Sequence, residues 1–244
     1  MTLFSDPPSG RYDAAIIDLD GTMIDTMGDF VVAINLMLQG LGYDVVDRAV
    51  VALRVGKGSE NLVKSVLHHA EGQSNKGRTA SNDAADFEHA LGLYQQHYRR
   101  INGQHAPVYL GVVDGLAALQ MAGLKLACLT NKPLGFAREL LRLKGLDRFF
   151  SHVFGGDSFE RKKPDPLPLL ETCKALGTLP ARTLMVGDSS NDALAARAAG
   201  CPVVLVTYGY NHGLPIASAG ADQTISSLVE LSSQLGLVKQ STAE

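Results

Sequence analysis

Two carboxylates two residues apart, Asp18 and Asp20, follow the apolar run Ala14-Ala15-Ile16-Ile17 and precede Gly21-Thr22. If the run is a buried strand, Asp18 sits at its carboxyl end, the edge where open α/β sheets bind ligands. In an extended segment both side chains can reach one point just beyond the strand. Carboxylates converging there repel unless a proton or a cation intervenes. A hard divalent ion such as Mg2+, bound through oxygen, satisfies them. An ordinary strand followed by an Asp-Gly turn would read the same way. A calcium-binding EF-hand loop fits less well. Its required glycine at the sixth position is Met23, although Asp29 does fall at the twelfth.

Further along, Thr130 with Asn131, and Asp188 with Asp192, stand where other strand-like runs end, and Lys163 precedes Pro164 in a loop. Taken singly, each is a helix cap or a solvated surface residue. Together they offer acids for a divalent metal, hydroxyl and amide donors, and a cation. That set suits a phosphoryl group, whose transfer needs charge neutralisation and positioning above all. There is no GxxxxGK[ST] loop and no GxSxG elbow, so neither a P-loop nucleotidase nor an α/β-hydrolase serine is expected.

These residues need a scaffold, and the hydrophobic pattern supplies one. After the first strand, helices are expected over Asp25 to Gln39, about Asp47 to Arg54, from Ser59 on, and Asp83 to Ile101. Thr26 is the expected N-cap of the first, with Asp29 three residues on. Glu71 to Asn82, rich in Gly, Ser and Asn, reads as a loop. From residue 106 strands and helices alternate. Strands fall at Leu124 to Leu129, Val153-Phe154, Thr183 to Val186, Val203 to Val206 and Thr224-Ile225, which implies a mostly parallel sheet covered on both faces. The helical block interrupts this unit right after its first strand and is expected to form a lid over that strand's end. Its loop Gly56-Lys57-Gly58 can approach a ligand closely. Lys57 there could pair with a carboxylate, with Arg54 as the reserve; a solvated loop lysine is the competing reading.

The 244 residues suffice for one large domain or a domain with an insertion. With 45% hydrophobic and 19% charged residues, the composition is that of an ordinary globular protein. A net charge of -3 argues against nucleic acid or an anionic membrane as the main partner. No apolar run approaches a membrane span, and Met1 to Tyr12 lacks the apolar stretch of a signal peptide. The unpatterned cysteines Cys128, Cys173 and Cys201 read as thiols in a reducing compartment. A cytoplasmic protein, monomer or homodimer, acting on a small phosphorylated metabolite, is the expectation.

Asp18-Leu19-Asp20-Gly21-Thr22, Thr130, Lys163-Pro164 and Gly187-Asp188-Ser189-Ser190-Asn191-Asp192 resemble the four ordered motifs of the haloacid dehalogenase-like phosphohydrolases, over about residue 13 to 235. The resemblance implies an α/β core (1–23 and 106–244) with a doubly wound, Rossmann-like sheet. It also implies an inserted all-helical C1 cap (24–105). Asp18 would be the nucleophile, Asp20 the general acid and base, and Thr130, the Asn131 backbone and Lys163 the phosphoryl ligands. Mg2+ would be held by Asp18, the Asp20 carbonyl and Asp188, with Asp192 a further ligand or an orienting residue. Asp20 speaks against the dehalogenase branch, where no acid is needed for a departing halide. Within the family, Thr130-Asn131-Lys132-Pro133, Arg54-Val55-Gly56-Lys57-Gly58 and Thr207-Tyr208-Gly209-Tyr210 are similar to the phosphoglycolate phosphatases. A phosphatase or mutase for another small phosphoester, such as a sugar phosphate, is the alternative. A receiver-type phospho-switch is a remote one, because a receiver carries its acid pair and its phosphoacceptor on different strands and has no helical insertion.

Overall fold

The computed structural model describes residues 12–73 and 84–235. Strand β1 (Ala14–Ile17) is buried along its whole length. The chain then leaves the sheet for four helices, α1 (Met27–Gly40), α2 (Arg48–Ala52), α3 (Ser59–Gln73) and α4 (Ala84–Ile101). It returns as α5 (Val112–Met121), β2 (Lys125–Leu129), α6 (Leu134–Leu143), β3 (His152–Phe154) and α7 (Leu167–Leu176). The remaining elements are β4 (Thr183–Gly187), α8 (Ser190–Ala199), β5 (Val203–Val206), β6 (Gln223–Ile225) and α9 (Leu228–Gln234).

The strand order is β3-β2-β1-β4-β5-β6, and every pairing is parallel. Side chains alternate across the sheet as a strand's period of two demands. Ala15, Ile17, Leu184 and Val186 pack beneath α5, α6 and α9. Ala14, Ile16 and Met185 pack beneath α7 and the alanine face of α8. Both faces are therefore covered, the arrangement expected from uninterrupted apolar strands. All three cysteines are buried and unpaired.

The helical block has a hydrophobic core of its own, built from Phe30, Ile34, Val63, Tyr94, Tyr98 and their neighbours. It joins the sheet domain through two antiparallel linkers. Ile24 bridges to Val108, the Asp25 N–H donates to the Pro107 carbonyl at 2.9 Å, and the Tyr109 N–H donates to that of Met23 at 3.0 Å.

Two local expectations are corrected. Thr26 makes no capping bond, and its hydroxyl is buried without a partner. The Met27 N–H is met instead by Asp25 Oδ1 at 3.2 Å and the Tyr210 hydroxyl at 3.1 Å. Asp29 turns the other way and accepts from the N–H groups of Gly103 and His105, at 2.6 and 2.8 Å. It thus fastens α1 to the returning linker, a long-range demand that local spacing does not reveal. In the expected loop, helix α3 persists to Gln73; the rest of that stretch up to Asn82 lies outside the described residues. No helix among the described residues is long and apolar enough to cross a membrane.

Candidate active site

Register builds the site. Ile17 pairs with Cys128 on one side and with Val186 on the other. The residues that follow these three strands, Asp18, Thr130 and Asp188, therefore emerge together at the carboxyl edge. The loop after β3 brings in Lys163, whose side chain is 2% exposed. Its ammonium donates to Asp18 Oδ1 at 2.7 Å, Asp192 Oδ1 at 2.6 Å and the Leu129 carbonyl at 2.8 Å. All three protons are committed, as burial of an ammonium requires. Asn131 fixes this loop from below, donating to the Lys163 carbonyl at 2.9 Å and accepting from its N–H at 3.1 Å.

Asp192 sits in the first turn of α8, where the open ends of the helix N–H groups favour a carboxylate. Its Oδ2 accepts from the Ser189 hydroxyl at 2.8 Å and from the N–H groups of Ser189 and Asp188, each at 3.2 Å. It orients both Lys163 and Asp188. Gly21 (φ 84°) and Gly209 come so close to Asp188 that a Cβ on either would collide with its carboxylate. Asp188 Oδ2 accepts the Tyr210 N–H at 2.5 Å.

Oxygens of Asp18, Asp188 and Asp192 lie within 4.8 Å of one another. Burial, joined by repulsion from Asp192 and Asp20, pushes Asp18 up to about 7 even though Lys163 opposes the shift. Burial and the same kind of repulsion raise Asp188 well above the usual carboxylate range. Burial alone would lower Lys163, but Asp18 and Asp192 hold it above its ordinary value. Crowded carboxylate oxygens that resist ionisation are a fitting donor set for a hard divalent cation. Asp18 and Asp188 could supply carboxylate oxygens to it, and Asp192 stands within the same cluster.

These shifts carry a stability prediction. Both folded-state values exceed the unfolded ones, so the stability these groups permit is complete below the ordinary value of 3.8. It is lost as pH rises toward about 7. In EDTA, Tm should fall between about pH 4 and 7, and Asp18→Asn should flatten that fall. Parallel melting curves for the two proteins would show that Asp18 is not strained in the metal-free fold.

Asp20 stands at the border with the helical block, its side chain 12% exposed. The Lys132 ammonium lies 2.9 Å from its Oδ1 and 2.6 Å from the Tyr98 hydroxyl of α4. The Gly56 carbonyl, at the tip of the loop before α3, accepts from the side-chain amides of Asn131 at 3.0 Å and Asn191 at 3.1 Å. The cavity enclosed by Asp18, Asp20, Thr130, Lys163, Asp188 and Gly56 measures only about 20 Å³. That is room for about one water, less than a phosphoryl group occupies.

Of the sequence-derived residues, Asp18, Asp20, Thr130, Asn131, Lys163, Asp188 and Asp192 all line this cavity. Lys57 and Arg54 do not. Lys57 is exposed and lies near His212, whose ring is pushed below its ordinary value by burial and then by the Lys57 charge. Arg54 donates to the Val50 carbonyl at 2.6 Å and the Ser65 carbonyl at 3.3 Å, tying α2 to α3. Sequence reasoning gave no role to Lys132, Asn191 or Tyr210. Each lies inside a motif already noted, and that adjacency was the only signal.

A model of the haloacid dehalogenase-like hydrolases matches residues 12–200. The phosphoglycolate phosphatase of Thiobacillus denitrificans is 42% identical over 89% of this chain and 92% of its own length. That of Salmonella typhimurium is 35% identical over 90% and 91%. A crystal structure described as a predicted phosphoglycolate phosphatase from Haemophilus somnus superposes with a TM-score of 0.86 at 31% identity, covering 91% of this chain and 96% of that one. CbbY from Rhodobacter sphaeroides, solved in complex with phosphate, superposes at 0.75 with 26% identity, covering 92% and 99%. Matched by that model over most of its length, and by relatives of this identity over nearly all of it, the chain belongs to the haloacid dehalogenase-like hydrolases.

Proposed function

We propose that the protein is a Mg2+-dependent phosphomonoester hydrolase that works through an aspartyl phosphate, with 2-phosphoglycolate as its substrate. The observation that carries the reading is the convergence of Asp18, Lys163, Asp188 and Asp192 on one buried cavity with Asp20 at its rim. Relatives bearing the name phosphoglycolate phosphatase at up to 43% identity support the choice of substrate. When bound by Asp18, Asp188 and the Asp20 carbonyl, Mg2+ offsets negative charge on the phosphoryl oxygens.

The side chains do the rest. Lys163 holds Asp18 Oδ1, so in this reading the other carboxylate oxygen attacks phosphorus. The new Asp18–phosphorus bond forms as the bond to glycolate oxygen breaks, and Asp20 donates its proton to that oxygen. Asp20 then takes a proton from the water that attacks phosphorus, releasing phosphate and restoring Asp18. The Thr130 hydroxyl binds a phosphoryl oxygen through both steps, and Lys163 does so once its ammonium exchanges one of its present partners for phosphate. The helical block acts as a lid, since closure excludes bulk water from the acyl phosphate.

Phosphate release measured over a panel of small phosphomonoesters, with and without Mg2+, tests this. The expected result is Mg2+-dependent turnover with 2-phosphoglycolate preferred. Preference for a sugar phosphate would replace the substrate, and no hydrolysis of any member would overturn the reading.

Discrimination falls to the lid, because the core can hold the phosphoryl group of any phosphomonoester. Lys57 is the cation of the loop whose Gly56 roofs the cavity, and we assign it to the glycolate carboxylate once that loop moves. A charge-assisted hydrogen bond contributes about 1.5–3 kcal/mol, or about one to two decades in kcat/KM. Lys57→Ala should lower kcat/KM for 2-phosphoglycolate by that order and barely change an aryl phosphate. Equal losses on both would mean that Lys57 supports closure, and no loss would leave it a solvated lysine.

A further inference from the structure

Lys132 is a buried cation for which the mechanism above has no task. Its side chain is 2% exposed, and its protons go to Asp20 Oδ1 at 2.9 Å, Asp20 Oδ2 at 3.3 Å and the Tyr98 hydroxyl at 2.6 Å. The Phe30 and Tyr98 rings lie 4.7 and 4.6 Å from the ammonium and shield it from water. Asp20 and Lys132 belong to the sheet domain, whereas Phe30 and Tyr98 come from α1 and α4. A buried ion pair is seldom retained for stability alone, because an apolar pair of similar volume does as well.

We propose that Lys132 is a positioning residue for Asp20, and that Phe30 and Tyr98 make the positioning conditional on closure of the helical block. This rests on the reading of Asp20 as proton donor and acceptor. A carboxylate on a loop turns freely about its side-chain bonds, while proton transfer requires a heavy-atom approach of about 2.6–3.2 Å. One ammonium in contact with both oxygens fixes the plane of the carboxylate. Lys132 is itself rigidly held, its N–H donating to Thr130 Oγ1 at 3.2 Å and its carbonyl accepting from Gly156 at 2.8 Å. When the block lifts, both rings and the Tyr98 hydroxyl leave, and water competes for the ammonium and for Asp20. Asp20 is then set for proton transfer only while the site is shut.

The test compares three substrates that separate the possible roles of this lysine. Both 2-phosphoglycolate and ethyl phosphate expel an alkoxide that needs a proton, and only the former has a carboxylate. The third, 4-nitrophenyl phosphate, expels a phenolate that leaves unaided. Positioned acid–base groups contribute about 10²–10⁴-fold. Lys132→Met, which keeps the length and the packing, should therefore lower kcat/KM, which ends at departure of the alcohol and leaves out the shared hydrolysis of the aspartyl phosphate, about 100-fold on both alkyl esters, with the loss on 4-nitrophenyl phosphate about tenfold smaller. Tyr98→Phe should show the same ordering with smaller losses, and it decides the matter should Lys132→Met fail to fold by circular dichroism. Equal losses on all three substrates would overturn the inference in favour of a structural role. A loss confined to 2-phosphoglycolate would overturn it too, by making Lys132 the reader of the substrate's carboxylate. A wild-type protein inert on all three with Mg2+ present would overturn the phosphatase reading itself, and the inference with it.

Discussion

Asp18→Asn should yield a folded protein whose phosphate release is reduced by at least about 10⁴-fold, since removing a catalytic nucleophile costs other hydrolases about 10⁶ in kcat. The size of the loss follows from chemistry rather than from packing. An amide oxygen cannot form the acyl phosphate, and no second carboxylate is free to replace it. Asp192 is committed to Lys163 and the first turn of α8, and Asp20 stands at the border held by Lys132. The fold should survive, because the substituted amide is nearly isosteric and Lys163 keeps Asp192 and the Leu129 carbonyl as partners. Circular dichroism establishes folding, and a phosphate assay with 2-phosphoglycolate and Mg2+ gives the rate. Turnover within about tenfold of wild type in a folded Asp18→Asn protein is incompatible with covalent catalysis at this residue.

The architecture was largely legible because two periodicities carried it. Fully apolar runs of only four residues bounded by turn signals, such as Ala14–Ile17 and Val203–Val206, read as strands buried on both faces, and the structure makes them so. Polar residues immediately after them then mark one edge of the sheet. The edge that carries the candidate site follows from that argument alone, and the register of β1 with β2 and β4 delivers Asp18, Thr130 and Asp188 together. What local pattern could not convey was the use of a polar side chain at long range. Asp29 looked like part of a capping box, yet it binds N–H groups more than seventy residues away. Asn131 looked like a phosphoryl ligand through its backbone. Its side chain also joins the Lys163 loop to Gly56 of the helical block. Lys132 sits beside two candidate site residues, but the role proposed for it depends on two aromatic rings from distant helices, which spacing along the chain does not encode. For the same reason a lone exposed cation such as Lys57 is assigned by loop position rather than by a contact.

The metal requirement should be as steep as the nucleophile's. EDTA should abolish phosphate release and excess Mg2+ restore it. Ca2+ should substitute poorly, because its larger and looser shell displaces the attacking oxygen. Within that requirement Asp188 is the informative residue. It is buried, raised by burial and by repulsion from Asp192 and Asp18, and approached closely by Gly21 and Gly209, where any side chain would collide with its carboxylate. A carboxylate kept under such conditions needs a proton or a cation as its counterpart, and the proposed Mg2+ is that cation. Altering merely the partners of metal ligands weakens affinity about 10–100-fold, so Asp188→Ala, which removes a ligand, should raise the Mg2+ concentration for half-maximal activity by about 100-fold or more. Asp192→Asn should act differently. It disturbs Lys163 and the α8 cap, and so should lower kcat more than it shifts the Mg2+ midpoint. Titration of both variants with Mg2+, followed by phosphate release and by direct calorimetric binding, separates the two roles. An Asp188→Ala protein with the wild-type Mg2+ midpoint would remove Asp188 from the metal site and leave the raised carboxylates near Asp18 in need of another explanation.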